Sequence, residues 1–393
     1  MKEDTLITTA GRHPDRNYGI VNPPVYHAST ITAPTLAEFR ERRKHRWEPG
    51  VFTYGRQGTP THEALEEAVA VLFGGDRAVA LGSGLAAINA ALFAFLESGD
   101  HLLMVDSVYA PSRRVCDAFL ARFGVETTYY DPLIGAGIKD MIRDNTKIVY
   151  LETPGSLTFD MQDIDAIVGE AKKRGCITII DDTWSSGVFF KPFEHGIDVS
   201  TVAATKYIVG HSDAMMGMVT TTHEHWQRVR QAASDLGANS GPDDCYLALR
   251  GLRTIKVRML RHQETGLKLA RWLRDRPEVK RVLHPALEDD PGHQLWQQYF
   301  TGSSGLFGLE LAHDYPETAL AAMLDGLELY GMGASWGGFE SLILLTNPAP
   351  VRSATKARWQ DANPTLRIHA GLEDPDDLLE DLAKGFERLN ANC

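Results

Sequence analysis

From Thr61 onward the chain alternates short apolar runs with longer stretches of 3.6-residue periodicity. A helix opens at Thr61, with the threonine as cap and an acid-rich first turn. Residues 78–81, 102–105, 125–130, 148–151 and 176–180 read as strands, separated by helices over 85–96, 112–123 and 163–174. Apolar strands joined through helices need crossover connections, so the pattern predicts a mainly parallel sheet covered on both faces. After about residue 245 the rhythm changes. A helical stretch over 246–274 leads to strands at 279–283, 306–311, 341–345 and 366–369, with helices at 317–324 and 376–389, which predicts a smaller α+β unit. Residues 1–60 show little periodicity and many turn formers, such as Asn22-Pro23-Pro24 and Pro49-Gly50. An arm of that kind has no core of its own and is expected to pack on another domain or another subunit. The organisation expected is an arm at 1–60, an α/β domain at 61–245 and an α+β domain at 246–393.

A chain of 393 residues is too long for one core, which agrees with that division. The net charge of −12 argues against a nucleic-acid partner and suits small metabolites. The basic run from Arg40 to Arg46 reads as a solvated helix end. No segment approaches the roughly 18–20 apolar residues of a membrane helix, and Met1-Lys2-Glu3-Asp4 opens no export signal. A cytoplasmic protein without a membrane partner is expected. Cys116, Cys176, Cys245 and Cys393 have no metal or redox spacing, so no metal site is expected.

Lys206 stands out in the segment Ala203-Ala204-Thr205-Lys206-Tyr207-Ile208-Val209. Lysine is seldom buried unless something pairs or reacts with it, and an apolar pocket makes its amine a nucleophile suited to Schiff-base chemistry. Upstream, the strand Ile177–Ile180 ends in Asp181. In open α/β sheets ligands bind off the carboxyl ends of the strands. Those ends are here Gly82-Ser83-Gly84, Asp106 to Tyr109, Glu152 to Gly155, and Asp181. Gly82 to Ala87 also fits a degenerate dinucleotide fingerprint, with Asp106 where a ribose-binding acid would stand. A nicotinamide reading leaves Lys206 and Asp181 unexplained. Phosphate binding at a helix N-terminus serves any phosphorylated cofactor. Asp181 either caps a turn or pairs with a pyridine nitrogen and keeps it protonated. Tyr109 either packs at the rim or stacks on the cofactor.

Several stretches together carry a resemblance. They are Tyr54-Gly55-Arg56 with Gly58-Thr59-Pro60-Thr61, Ala204 to Asp213, Thr301 to Phe307, Ser335 to Ser341, and Arg367 to Asp374. The chain resembles, end to end, the pyridoxal-phosphate enzymes of cysteine and methionine trans-sulfuration, most closely the bacterial cystathionine β-lyases. The resemblance implies the α/β fold of the aspartate-aminotransferase class, pyridoxal 5′-phosphate as cofactor, and a homotetramer of dimers with shared active sites. It makes Lys206 the Schiff-base lysine, Asp181 the pyridinium partner and Tyr109 the stacking tyrosine. Gly84 and Leu85 would offer N–H groups to the phosphate, Thr205 a hydroxyl, and Tyr54 and Arg56 would reach it from the neighbouring subunit. Arg367 looks like the clamp on the substrate α-carboxylate, with Ser335 and Trp336 lining that end of the pocket.

Two positions depart from the pattern. Many relatives have serine where this chain has Ala203, and the usual Asp-Asn-Thr is here Asp181-Asp182-Thr183. The implied substrate is a thioether amino acid, and the implied reaction is β-elimination of cystathionine to homocysteine, pyruvate and ammonia. The alternatives are γ-lyase or γ-synthase chemistry, or a cysteine or cystine lyase. Trp336, Trp184 and the absence of cysteine after Tyr109 favour the β-reaction. A non-catalytic binding protein is disfavoured by intact Lys206, Asp181 and Arg367. Arg113 and the basic stretch after Arg40 are the candidates for holding the distal end of the substrate.

Overall fold

The computed structural model describes residues 1–393. Seven strands form the larger sheet: β1 (Arg77–Leu81), β2 (His101–Val105), β3 (Glu126–Tyr130), β4 (Thr146–Glu152), β5 (Ile177–Asp181), β6 (Val199–Val202) and β7 (Gly217–Thr221). Their order is β1-β7-β6-β5-β4-β2-β3. The pairs β2/β3, β2/β4, β4/β5 and β5/β6 are parallel, whereas β7 runs antiparallel to both its neighbours. β2 and β4 are almost wholly buried, as unbroken apolar runs in a two-sided sheet should be. Helices cover both faces. In the helix Ile164–Lys173, Ile164, Ile167, Val168 and Ala171 are buried at helical spacing, and the Asp163 side chain caps its first turn.

The second sheet holds β8 (Val279–Leu283), β9 (Leu306–Leu311), β10 (Tyr330–Gly331), β11 (Ser341–Thr346) and β12 (Thr365–His369) in the order β10-β11-β12-β9-β8. It has its own apolar core, to which the helix Pro375–Ala391 contributes Leu378, Leu382, Phe386 and Leu389.

Most elements expected from periodicity are present, with several differences. The helix expected over 112–123 is α-helical only at Ala110–Arg114 and continues as π and 3-10 turns to Phe123, and the helix His293–Tyr299 is additional. β6 and β7 lie in hydroxyl-rich stretches whose short apolar runs carry too little pattern to register as strands. The helix His223–Asp235 was likewise not expected. The stretch over 246–274 is two helices, Pro242–Leu252 and Ile255–Arg274. Arg258 explains the break, because its guanidinium donates to the Gly251 carbonyl at 2.8 Å and to the Thr254 hydroxyl at 3.2 Å. Finally, the arm contains the helix Glu3–Thr9, whose Ile7 is buried in the main core.

Among the contacts that join the two units is a carboxylate at the end of β2. Asp106 is fully buried and accepts from the N–H and hydroxyl groups of both Ser353 and Thr355, and from Arg113. Burial alone would raise its pKa; the Thr355 and Ser353 bonds and Arg113 outweigh that and hold it low. Asp106→Ala leaves a buried guanidinium and four donors without an acceptor. We expect a loss of about 3–5 kcal/mol in urea unfolding; an unchanged midpoint would contradict the latch.

Candidate active site

β6 delivers the segment Ala203–Lys206 to the edge where β2, β4 and β5 also end. The Lys206 Nζ donates to Ser335 Oγ at 2.6 Å and lies 5.3 Å from the centre of the Trp336 ring. Burial depresses its pKa to about 8; nearby Arg367 pushes the same way, and Asp181 opposes them in part. Arg367, on β12, donates to the Ser335 carbonyl at 2.9 Å. One residue therefore touches both cations. Ser335 does so from a backbone at φ +100°, a region that costs a non-glycine residue on the order of 1–3 kcal/mol and survives only where its surroundings impose it.

Parallel pairing of β4 with β5 sets Glu152 opposite Asp181. Both are buried. Asp181 Oδ1 accepts from the Thr183 N–H at 2.9 Å and from its hydroxyl at 2.5 Å, while Oδ2 has no partner in the chain. Burial pushes the Asp181 carboxyl up to about 6, against the pull of Thr183 and Lys206. Glu152 is raised well above the usual range by burial and by Asp181. Its Oε2 accepts the Tyr109 main-chain N–H at 2.8 Å, which holds the start of the helix Ala110–Arg114 at the site. The Tyr109 hydroxyl is raised by burial, Asp181 and Glu152 and lowered by Arg367, so its half-exposed ring stands within the field of all three. Glu152 was legible as a strand end, but not as the group that fixes Tyr109.

At the other side, Ser83 caps the helix Gly84–Phe95 through the Ala86 N–H, at 3.1 Å. The N–H groups of Gly84 and Leu85 have no intrahelical acceptor, and Gly84 lies against the Ala203 segment. A Cβ on Gly84 would come within 2.5 Å of the Ala203 Cβ, so only glycine admits this approach. The Thr205 hydroxyl is engaged with Met216, accepting from its N–H at 2.8 Å and donating to its carbonyl at 3.1 Å. It reaches another acceptor only by giving up the second bond.

Not every candidate is brought together within one chain. Tyr54 is nearly half exposed, and Arg56 donates to the Ser234 carbonyl at 2.6 Å instead of joining the Lys206 cluster. Arg113 is spent on Asp106 and lies 3.5 Å from the Tyr129 ring centre, so it does not face a substrate. The basic run sits largely on the helix Leu36–Lys44, where Arg42 pairs with Glu38 and Lys44 with Glu41. Trp184 is buried with its indole N–H on the Leu306 carbonyl at 2.9 Å; it supports the site from behind and does not line it. Asp106, saturated with donors, has no capacity left for a ribose. A cavity of about 430 Å³ opens between Trp47, the helix Pro60–Phe73 and Arg230, and does not reach Lys206.

Asp182 faces away from Asp181. Its carboxyl accepts from the Ser185 hydroxyl at 2.6 Å and from the Gly187 N–H at 3.0 Å, inside the turn that follows β5.

A sequence profile of Cys/Met metabolism PLP-dependent enzymes matches residues 4–387. Cystathionine beta-lyase MetC of Escherichia coli (strain K12) is 43% identical over 391 residues, covering 99% of each chain. Cystathionine beta-lyase of Salmonella typhimurium is 42% identical, covering 98% of each. Among solved structures, cystathionine gamma synthase from Xanthomonas oryzae pv. oryzae, in complex with cystathionine, superposes with a TM-score of 0.90 at 32% identity over all of both chains.

Burial raises the Asp182 carboxyl to about 8. The folded chain then holds a proton that the unfolded chain releases near pH 4, so stability falls as pH rises from there to about 8. Asp182→Asn keeps both contacts without that proton, its Oδ1 accepting from the Gly187 N–H and its Nδ2 donating to the Ser185 hydroxyl. Its melting temperature should fall less than the wild type's between pH 6 and pH 9; parallel curves would contradict a neutral Asp182.

Proposed function

The chain belongs to the pyridoxal-phosphate-dependent enzymes of cysteine and methionine metabolism, a carbon–sulfur lyase of that family, and we propose that it cleaves the Cβ–S bond of cystathionine to give homocysteine, pyruvate and ammonia. The observation that carries this reading is the half-buried Lys206 amine, bonded to Ser335 and set beside Arg367 and the unpaired oxygen of Asp181.

The residues suit the cofactor. Gly84 and Leu85 would hold its phosphate with free N–H groups, aided by Thr205, and the missing side chain of Gly84 lets the helix end approach the Ala203 segment. Asp181, buried with no cation bonded to Oδ2, would pair with the ring nitrogen, and Tyr109 would stack on the ring. When bound, pyridoxal phosphate supplies an aldehyde that holds the substrate amine and a cationic ring that draws electrons from Cα.

The chain's own groups do the rest. Arg367 leaves most of its fork free of the protein and clamps the substrate α-carboxylate. Lys206 takes the Cα proton at Nζ, which its depressed pKa leaves substantially neutral near pH 8. Ser335 Oγ aims that nitrogen. Asp181 keeps the proton on the ring nitrogen. Tyr54 and Arg56 act on the phosphate from a second copy of the chain, in a dimer of dimers; both stand outside the Lys206 cluster of their own chain. The β-reaction is favoured over the γ-reaction by Trp336, whose ring centre lies 5.4 Å from that of Tyr207 and 5.3 Å from Nζ. A cytoplasmic location suits this chemistry, and no helix is long and apolar enough to cross a membrane.

Incubation with cystathionine should release homocysteine; release of cysteine would overturn the β-assignment. Lys206→Ala should lower kcat by about 10²–10⁴-fold. Because the base acts when deprotonated, kcat should rise with pH up to about 8 and then level. A flat profile from pH 6 to pH 9 would contradict Lys206 as base.

A further inference from the structure

Two buried rings behind the site have no part in the scheme above. His369 closes β12 two residues beyond Arg367, so both side chains leave the same face of the strand. Its Nε2 lies 3.1 Å from the Gly338 carbonyl oxygen. A carbonyl only accepts, so Nε2 carries the proton and Nδ1, which has no partner, is bare. His262 packs against it with ring centres 5.2 Å apart and donates from Nδ1 to the Ala370 carbonyl at 2.8 Å. Tyr207, the neighbour of Lys206, touches both rings and Trp336. Burial depresses His262 to about 4; it holds His369 well below the usual range too, with His262, Arg367 and Lys206 adding to the effect. Both rings stay neutral at physiological pH and are unsuited to carrying protons.

They hold a loop. Ser335 and Gly337 both have left-handed backbone, at φ +100° and +85°. Arg367 fixes the entry of the loop through the Ser335 carbonyl, and His369 fixes its exit through the Gly338 carbonyl. Between them Gly337 lies against Lys206, where a Cβ would stand 3.0 Å from the lysine Cα. The strained loop is thus pinned at both ends by alternate residues of one strand, and its contents are the two groups that touch the amine.

We propose that His369 is a positioning residue, whose Nε2–H holds the Gly338 end of the loop so that Ser335 and Trp336 keep the Lys206 amine aimed at the substrate Cα. The role rests on the reading of Lys206 as the base. Misplacing such a group by about 1 Å costs on the order of 10²-fold in rate.

Two variants separate this from packing. His369→Gln keeps an N–H donor at about the reach of Nε2, whereas His369→Asn places it where Nδ1 stands and leaves Gly338 unheld. In the holoenzymes we would measure kcat and KM with cystathionine. Without substrate we would measure the pH midpoint of the cofactor's visible band. His369→Asn should lower kcat by about 10²-fold with little change in KM, and should shift the midpoint by more than about half a pH unit. His369→Gln should recover most of both. His262→Phe, which keeps an aromatic ring and makes no bond to Gly338, should leave the midpoint in place. Equal behaviour of the Gln and Asn variants, an Asn variant with altered melting but a wild-type midpoint, or a His262→Phe shift as large as that of Asn would each overturn the role. A wild type without a visible band would remove the reading of Lys206 itself, and this role with it.

Discussion

Keeping one amine out of water organises the working edge of this chain. Lys206 would remain a cation in solvent; burial and the neighbouring Arg367 make the neutral form accessible near pH 8, and Asp181 limits the fall. The same low polarity raises the Asp181 and Glu152 carboxyls. Two cations and two acids share the cleft: Arg367 and Asp181 act on Lys206, and Asp181 acts on Glu152. Ser335 is the joint between them, bonded to Lys206 by its hydroxyl and to Arg367 by its carbonyl.

The scaffold supplies that joint from two directions. Parallel strands bring Tyr109, Glu152, Asp181 and Lys206 to one edge of the large sheet, because crossover connections put every carboxyl end on the same side. The small sheet brings Arg367 and the loop Ser335–Gly338 from β12 and the approach to β11. Two units that meet across a reacting site must not slide. The buried Asp106 network, in which one carboxylate is shared by Arg113, Ser353 and Thr355, ties the end of β2 to the second unit close to Tyr109.

Much of this is legible in the sequence. Unbroken apolar runs announced β2, β4 and β5, and their polar ends announced the edge where the site lies. Lys206 stood out by its apolar neighbours, and Asp181 by its place at a strand end. What escaped notice was of two kinds. β6 and β7 are short and rich in serine and threonine, so their burial follows from the sheet around them and leaves little trace in local pattern. The other misses are contacts between distant segments: Arg113 spent on Asp106, Asp182 turned into its own loop, and His369 reaching Gly338. Spacing along a chain does not reveal which donor will find which acceptor. A left-handed serine at position 335 has no sequence signature either; the Gly337-Gly338 pair after it was the available hint.

The central claim is that this one amine, among all the lysines of the chain, holds the cofactor. Borohydride reduction of freshly purified holoprotein, followed by peptide mapping, tests it most directly. The account predicts a single pyridoxyl group on the peptide containing Lys206. A pyridoxyl group on another lysine, or none on that peptide, would contradict it.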